Sequence, residues 1–279
     1  MTRDTNGWFV LLLVAGLLLV GCSRKEAGHR PDAVGVSSAP AVVKSQSRTA
    51  TSSAAPVSAG SSALAMVHDP AHPPIDCPLR KHGIEPNQMR PFEDVAEYIE
   101  FLERPERAEW QKPQAVVAAL GLRGNEVIFD VGAGSGYFSF RFAPAVASGR
   151  VIAADTEPEM IRYVHHRAMS EGVNNVEARL IEPTDPEVDS TADLVFVCDV
   201  LHHVADRSAW LVKIASAMKS GARLALIEFK EGKLPQGPPE GTKIPRHELL
   251  TLATGAGLEF EKEHEGLLPY QVFLEFRKP

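Results

Sequence analysis

The sequence predicts an α/β protein built on a doubly wound, seven-stranded, mostly parallel sheet, with a helical lead-in ahead of it. Three observations carry that expectation. From Glu126 onward, short apolar runs alternate with segments of helical periodicity, the order that builds parallel sheets. Leu194–Cys198 is apolar at every position, as a central strand covered on both faces should be. Val127-Ile-Phe-Asp-Val-Gly-Ala-Gly-Ser-Gly-Tyr-Phe138 reads as a buried strand, a glycine-dense turn and the opening of a helix. Such a turn lets backbone N–H groups approach a bound ligand closely.

The elements follow in order. Phe92, Val95, Ile99 and Leu102 fall at helical spacing, with Glu93, Asp94, Glu97 and Glu100 on the other side. A second helix is expected from Gln114 to Leu120, after Pro113 and before Gly121. The first strand is Val127–Val131 and the first helix of the sheet domain Tyr137–Ala147. Arg150–Ala154 is the second strand, ending at Asp155. Thr156-Glu-Pro-Glu159 reads as a capping box that opens a helix carrying Met160, Ile161, Val164 and Ala168. Strands are expected at Asn175–Ile181, Leu194–Cys198 and Arg223–Glu228, with helices near Arg207–Met218 and Pro245–Gly255. Leu258–Glu263 and Val272–Arg277 close the domain as a pair.

Ahead of the domain the composition changes twice. Trp8 to Gly21 is a run of fourteen uncharged residues, too short to span a bilayer comfortably and suited to a signal-peptide core. It closes with Leu19-Val20-Gly21-Cys22, which resembles the lipobox of bacterial lipoproteins; that resemblance implies cleavage after residue 21, lipidation of Cys22 and an extracytoplasmic, membrane-anchored protein. Residues 23–67 hold ten Ser and ten Ala in forty-five positions and no Phe, Tyr or Trp. Such a segment buries too little apolar surface to offset its ordering entropy and reads as a tether. Its net charge is +3, so the body from His68 onward carries −10 of the chain's −7 total. An acidic body argues against nucleic acid as a partner. The expected organisation is therefore signal peptide 1–21, tether 22–67, loop and helical lead-in 68–125, and sheet domain 126–279. Met66 lies at the tether–domain junction, and an internal start there would give a cytoplasmic protein instead. His68, His72, Cys77 and His82 are metal-capable but follow no ligand spacing, so no metal is expected. A Cys77–Cys198 disulfide is not expected either, because the two lie in a loop and in a buried strand.

The glycine turn narrows the ligand. A dinucleotide site wants G-x-G-x-x-G, and Tyr137 stands where the third glycine would fall. Asp130-x-Gly132-x-Gly134-x-Gly136 instead resembles the first motif of class I S-adenosylmethionine-dependent methyltransferases, a Rossmann-like family, and the resemblance extends over residues 92–279. It implies S-adenosylmethionine as cofactor, held by Asp130, Gly132, Ala133, Gly134 and Gly136. Asp155, nineteen residues past Gly136, would take the ribose hydroxyls, and Thr156 beside it would also bind the cofactor. Glu182 or Asp185 would meet the adenine, although the family's acidic residue usually stands directly at the strand end. Cys198-Asp199-Val-Leu-His202-His203 resembles the segment after the fourth strand in enzymes of the ubiquinone-biosynthesis type. There Asp199 would line the methionine pocket, and His202 or His203 would serve as general base or as a contact to the acceptor. Trp110 and Gln111 would fold over cofactor or substrate, and Lys230, Lys243, Arg246 and His247 offer cations to an anionic acceptor. The acceptor itself would be a small or lipid-like molecule. Two other classes compete: a lipid-anchored, non-catalytic binding protein on the same fold, and an NAD-dependent oxidoreductase, which the missing third glycine disfavours.

Overall fold

The computed structural model describes Gly83 and residues 92–279, with side chains from Val95 onward. The expected signal peptide, Cys22, the tether, Met66 and the His68–His82 group lie outside the described residues. The lead-in forms three helices: α1 (Phe92–Glu103), α2 (Arg107–Gln111) and α3 (Pro113–Ala119). The sheet domain then runs β1 (Val127–Val131), α4 (Ser139–Ala145), β2 (Arg150–Asp155), α5 (Pro158–Glu171), β3 (Val176–Leu180) and β4 (Leu194–Cys198). A 3-10 turn at Leu201–His203 leads to α6 (Arg207–Ala217), β5 (Arg223–Phe229), α7 (Arg246–Gly255), β6 (Glu259–Glu263) and β7 (Gln271–Arg277). No described helix is long and apolar enough to cross a membrane.

The seven strands lie in the order β3-β2-β1-β4-β5-β7-β6, with β7 antiparallel to both neighbours and the other pairs parallel. The chain starts in the middle, builds outward to β3, then returns through β4 to the opposite edge. That reversal sits between β1 and β4, where open α/β sheets bind ligands beyond the carboxyl ends of their strands.

Successive residues of a strand face opposite sides of the sheet, so each strand feeds two cores. Phe129, Val131, Val195, Val197, Leu224 and Leu226 pack on one side with Leu211 and Ile214 of α6. Ile128, Val151, Leu194, Phe196 and Ile227 pack on the other with Val116, Phe138 and Phe142. Phe138 and Phe142 meet Phe196 at ring distances of 4.8 and 4.9 Å. Each such side chain removed from water stabilises the fold by about 2–3 kcal/mol.

Two helix starts differ from expectation. The expected capping box at Thr156 does not form: α5 begins at Pro158, its N-cap is Glu157 in extended conformation, and no side chain caps it. The Asp155 carboxylate accepts the Glu157 N–H at 3.0 Å, an Asx-type turn that holds the chain extended until proline sets the first helical residue. Helix α4 is shorter than Tyr137–Ala147. Gly136 at φ +79° prolongs the turn at its start, and Pro144, which lacks an N–H, sits one residue from its end. Helix α2 adds to the expected elements.

Candidate active site

Four adjacent strands each deliver a carboxylate to the same edge of the sheet. Asp155 ends β2, Asp130 is the penultimate residue of β1, Asp199 follows β4, and Glu228 is penultimate in β5. Asp130 is 3% exposed and Glu228 1%, which makes this a desolvated acidic edge.

The glycine turn wraps around the first two. Gly132 and Ala133 both donate their N–H to the Ala154 carbonyl, at 2.8 and 3.0 Å, and Gly134 donates to Asp155 Oδ2 at 2.8 Å. The second oxygen of Asp155 takes Glu157, and the Thr156 N–H also bonds to this carboxylate. Thr156 itself is exposed. Gly132 is required sterically as well as conformationally: its φ is +69°, and an added Cβ would stand 2.4 Å from Val200. Asp130 accepts the hydroxyl of Ser139, at the first turn of α4.

Burial drives the electrostatics. It pushes the Asp130 carboxyl up to about 7, with the Asp155 charge adding to the effect and Ser139 and Arg107 opposing it. Burial also raises Asp155, against three backbone N–H bonds. Asp199 is pushed up to about 6, by burial first and by Glu228 second. The Cys198 thiol is raised well above its usual range by the same burial, so it stays protonated and unreactive. Among the described residues no cluster of His, Cys, Asp or Glu could hold a metal ion.

The lead-in closes over this edge. Gln111, fully buried, donates its amide to Asp199 Oδ2 at 2.9 Å and to Cys198 Sγ at 3.0 Å. From the opposite side Gln271 of β7 reaches Asp199 Oδ1 and Oδ2 at 2.7 and 2.8 Å. Asp199 adopts φ +59°, a left-handed conformation that aspartate tolerates better than most residues. Arg107 stacks on the Tyr137 ring at 4.0 Å and bonds to the Gln111 amide oxygen. Leu102 would lie 3.3 Å from a Cβ on Gly134, and Ser135 donates to Glu103. Tyr98 feels the Asp155 charge: burial and that carboxylate raise its phenol, although the residue is 55% exposed.

On the acceptor side, His202 Nδ1 lies 2.8 Å from Glu228 Oε2, and the His202 backbone N–H reaches Oε1 at 3.3 Å. The His203 ring lies tilted against the His202 ring at 4.0 Å, and burial followed by His202 lowers its imidazole. Trp110 packs on Phe229 and Tyr270, at 5.5 and 6.4 Å. The Trp110 indole nitrogen and the Gln271 amide oxygen are buried without a hydrogen-bond partner among the described residues.

Not every expected residue joins this edge. Asp185 stands on a turn bridged to Glu182, takes the Glu187 N–H at 3.1 Å and pairs with Lys213 at 3.3 Å. Three cations expected near an anionic acceptor are engaged elsewhere. Lys230 binds the Leu268 and Pro269 carbonyls, Lys243 that of Gly232, and Arg246 pairs with Glu263. Glu228, a lone glutamate near the end of β5, carries no local signal in the sequence.

The arrangement fits the ligand that the sequence resemblance implies. Two buried aspartates and the half-buried Asp199, all with raised pKa values, are relieved by a ligand that brings positive charge, and S-adenosylmethionine brings both a sulfonium and an ammonium. The glycine turn supplies the close backbone approach its nucleoside needs.

Comparison with known proteins agrees. A family of methyltransferase domains matches residues 122–253. A ubiquinone/menaquinone biosynthesis C-methyltransferase of Hydrogenovibrio crunogenus is 32% identical over 117 residues, which is 40% of this chain and 45% of that relative. The chain thus spans about half the length of that enzyme. A SAM-dependent methyltransferase from Aquifex aeolicus superposes with a TM-score of 0.61 at 26% identity, over 66% of this chain and 98% of that one. The [4+2]-cyclase SpnF, at 16% identity and a TM-score of 0.52 over 60% of this chain and 80% of its own, shares the fold alone. With its glycine turn, its acidic strand ends and these relatives, the chain carries a class I S-adenosylmethionine-dependent methyltransferase domain.

Proposed function

We propose that the chain transfers a methyl group from S-adenosylmethionine to a small-molecule or lipid-like acceptor. The observation that carries the reading is the acidic edge formed by Asp130, Asp155 and Asp199 around the glycine turn, suited to a cationic nucleoside. When bound, S-adenosylmethionine supplies a methyl group already activated on sulfur. The protein has to bind, align and exclude water. Gly132, Ala133, Gly134 and Gly136 seat the nucleoside, and Asp155 takes its ribose hydroxyls. Asp130 and Asp199 face the methionine part, with Gln111 and Gln271 fixing the Asp199 carboxylate. His202 and His203 stand where the acceptor would enter. Thr156 and Asp185 remain candidates at the outer rim of the nucleoside.

The test is calorimetric titration with S-adenosylmethionine, followed by transfer of its labelled methyl group to candidate acceptors. Micromolar binding with label incorporated supports the proposal. Micromolar binding with no acceptor methylated would favour a non-catalytic binding protein on this fold.

The N-terminal sequence supports a second element of the proposal, an extracytoplasmic lipoprotein anchored through Cys22. Labelling of cells with a tritiated fatty acid, with and without C22S, tests it. Label lost in C22S supports the anchor; an unlabelled product beginning at Met66 would place the domain in the cytoplasm.

A further inference from the structure

We infer that Glu228 is a positioning residue that makes His202 the general base, and that the acceptor is therefore a hydroxyl or an enolisable carbon. The inference rests on the methyltransferase reading above. Both oxygens of Glu228 are turned to His202, one to Nδ1 at 2.8 Å and one to the backbone N–H at 3.3 Å. The side chains of Glu228 and His202 are 1% and 6% exposed, and this carboxylate has no arginine or lysine partner among the described residues. A buried carboxylate of this kind takes its compensation from the Nδ1–H of the imidazole. That fixes the tautomer, with the proton on Nδ1 and the lone pair on Nε2. His202 Nε2 forms no hydrogen bond among the described residues. His203, although its ring lies against that of His202, is more exposed and has no carboxylate within bonding distance among the described residues. The pair thus singles out His202.

The chemistry limits the acceptor. A neutral aromatic amine or a thiolate already presents a free lone pair at neutral pH and needs no base. A hydroxyl or an enolisable C–H does not. With such an acceptor, the proton passes to His202 Nε2 as the freed electron pair forms the bond to the methyl carbon. The carbon–sulfur bond breaks with its electrons going to sulfur, leaving neutral S-adenosylhomocysteine, and the imidazolium later returns its proton to water. Glu228 holds the ring in that orientation throughout.

The test has an acceptor-free arm. Nitrogen-15 NMR of the full-length chain labelled at histidine, with His202 assigned by its loss in H202Q, reports which ring nitrogen carries the proton at pH 8. The expected result is protonated Nδ1 and bare Nε2, with a mixture of tautomers in E228Q. Protonated Nε2 in the wild type overturns the inference. The second arm follows tritiated methyl transfer to catechol, acetylacetone, aniline and thiophenol. Label should enter catechol or acetylacetone, and E228Q should slow it about 10–100-fold at saturating S-adenosylmethionine. E228D serves if E228Q does not fold. Label entering aniline or thiophenol first, or an unchanged rate in E228Q, overturns the inference. If none of the four is methylated, the tautomer decides. Loss of S-adenosylmethionine binding by the wild type would instead remove the methyltransferase reading and leave the tautomer result standing.

Discussion

The Gly134 amide and the Asp155 carboxylate meet at 2.8 Å, so the turn after β1 is fastened to the end of β2. A ligand held by either residue is thereby held by both. Each carboxylate oxygen has a second lone pair, so Asp155 can serve the turn and a ribose together. Replacing Asp155 by Ala removes both functions. D155A should weaken S-adenosylmethionine binding by about 30-fold or more, since hydrogen bonds to a charged group contribute about 1.5–3 kcal/mol each. Circular dichroism should show the domain still folded, with the melting temperature lowered by a few degrees. Unaltered affinity would remove Asp155 from the ribose.

The raised carboxyls make a pH prediction whose sign is fixed. Asp130 holds its proton up to about 7 in the folded chain, well above its ordinary value of 3.8. Its contribution to stability is fully present below the unfolded value and is lost as pH rises through about 7. Between pH 5 and pH 8 the wild type should therefore lose stability relative to D130N, by at most about 3 kcal/mol, as read from denaturant titrations at both pH values. Equal pH dependence in the two proteins would contradict the burial argument.

Ligand binding should run the other way. A cationic ligand favours ionised Asp130 and Asp199, whose carboxyls titrate near 7 and 6. Affinity for S-adenosylmethionine should rise several-fold from pH 6 to pH 8. The heat measured in buffers of different ionisation enthalpy should show protons released. S-adenosylhomocysteine, which lacks the sulfonium, should show a smaller rise. Affinity independent of pH would mean that the aspartates do not face the cofactor.

Gly132 offers a steric test. G132A places a Cβ 2.4 Å from Val200 at a φ of +69°. Strain of about 1–3 kcal/mol at that φ adds to overpacking of similar size. The melting temperature should fall by about 10 °C, with cofactor binding lost. Adding V200A should recover part of the stability, because it relieves the clash and leaves the backbone strain. No recovery would mean that conformation alone requires the glycine.

How much of this could be read in the sequence depended on whether the signal was local. Strand β4 is a continuous apolar run and β1 is broken only by Asp130, so Asp130 and Asp199, directly after β4, stand in plain view. The Asp130–Gly136 turn advertises its shape through its glycines. The start of α5 misled because Thr156 and Glu159 have capping-box spacing while the Asp155 carboxylate bends back to Glu157 instead. Helix α2 hid in Arg104-Pro-Glu-Arg-Ala-Glu-Trp-Gln111, a polar stretch with a proline. Its meaning lies in a contact between Gln111 and Asp199, 88 residues apart. Glu228 hid for the same reason: its partner His202 is 26 residues away and was legible only as half of a His–His pair.

The central claim is that the acidic edge and the glycine turn bind S-adenosylmethionine. Calorimetric titration of the full-length chain at pH 8, with NAD as control, tests it most directly. The account predicts one site of micromolar affinity for S-adenosylmethionine, weakened by D155A, and no heat with NAD. Binding of NAD instead, or of neither ligand, would contradict it.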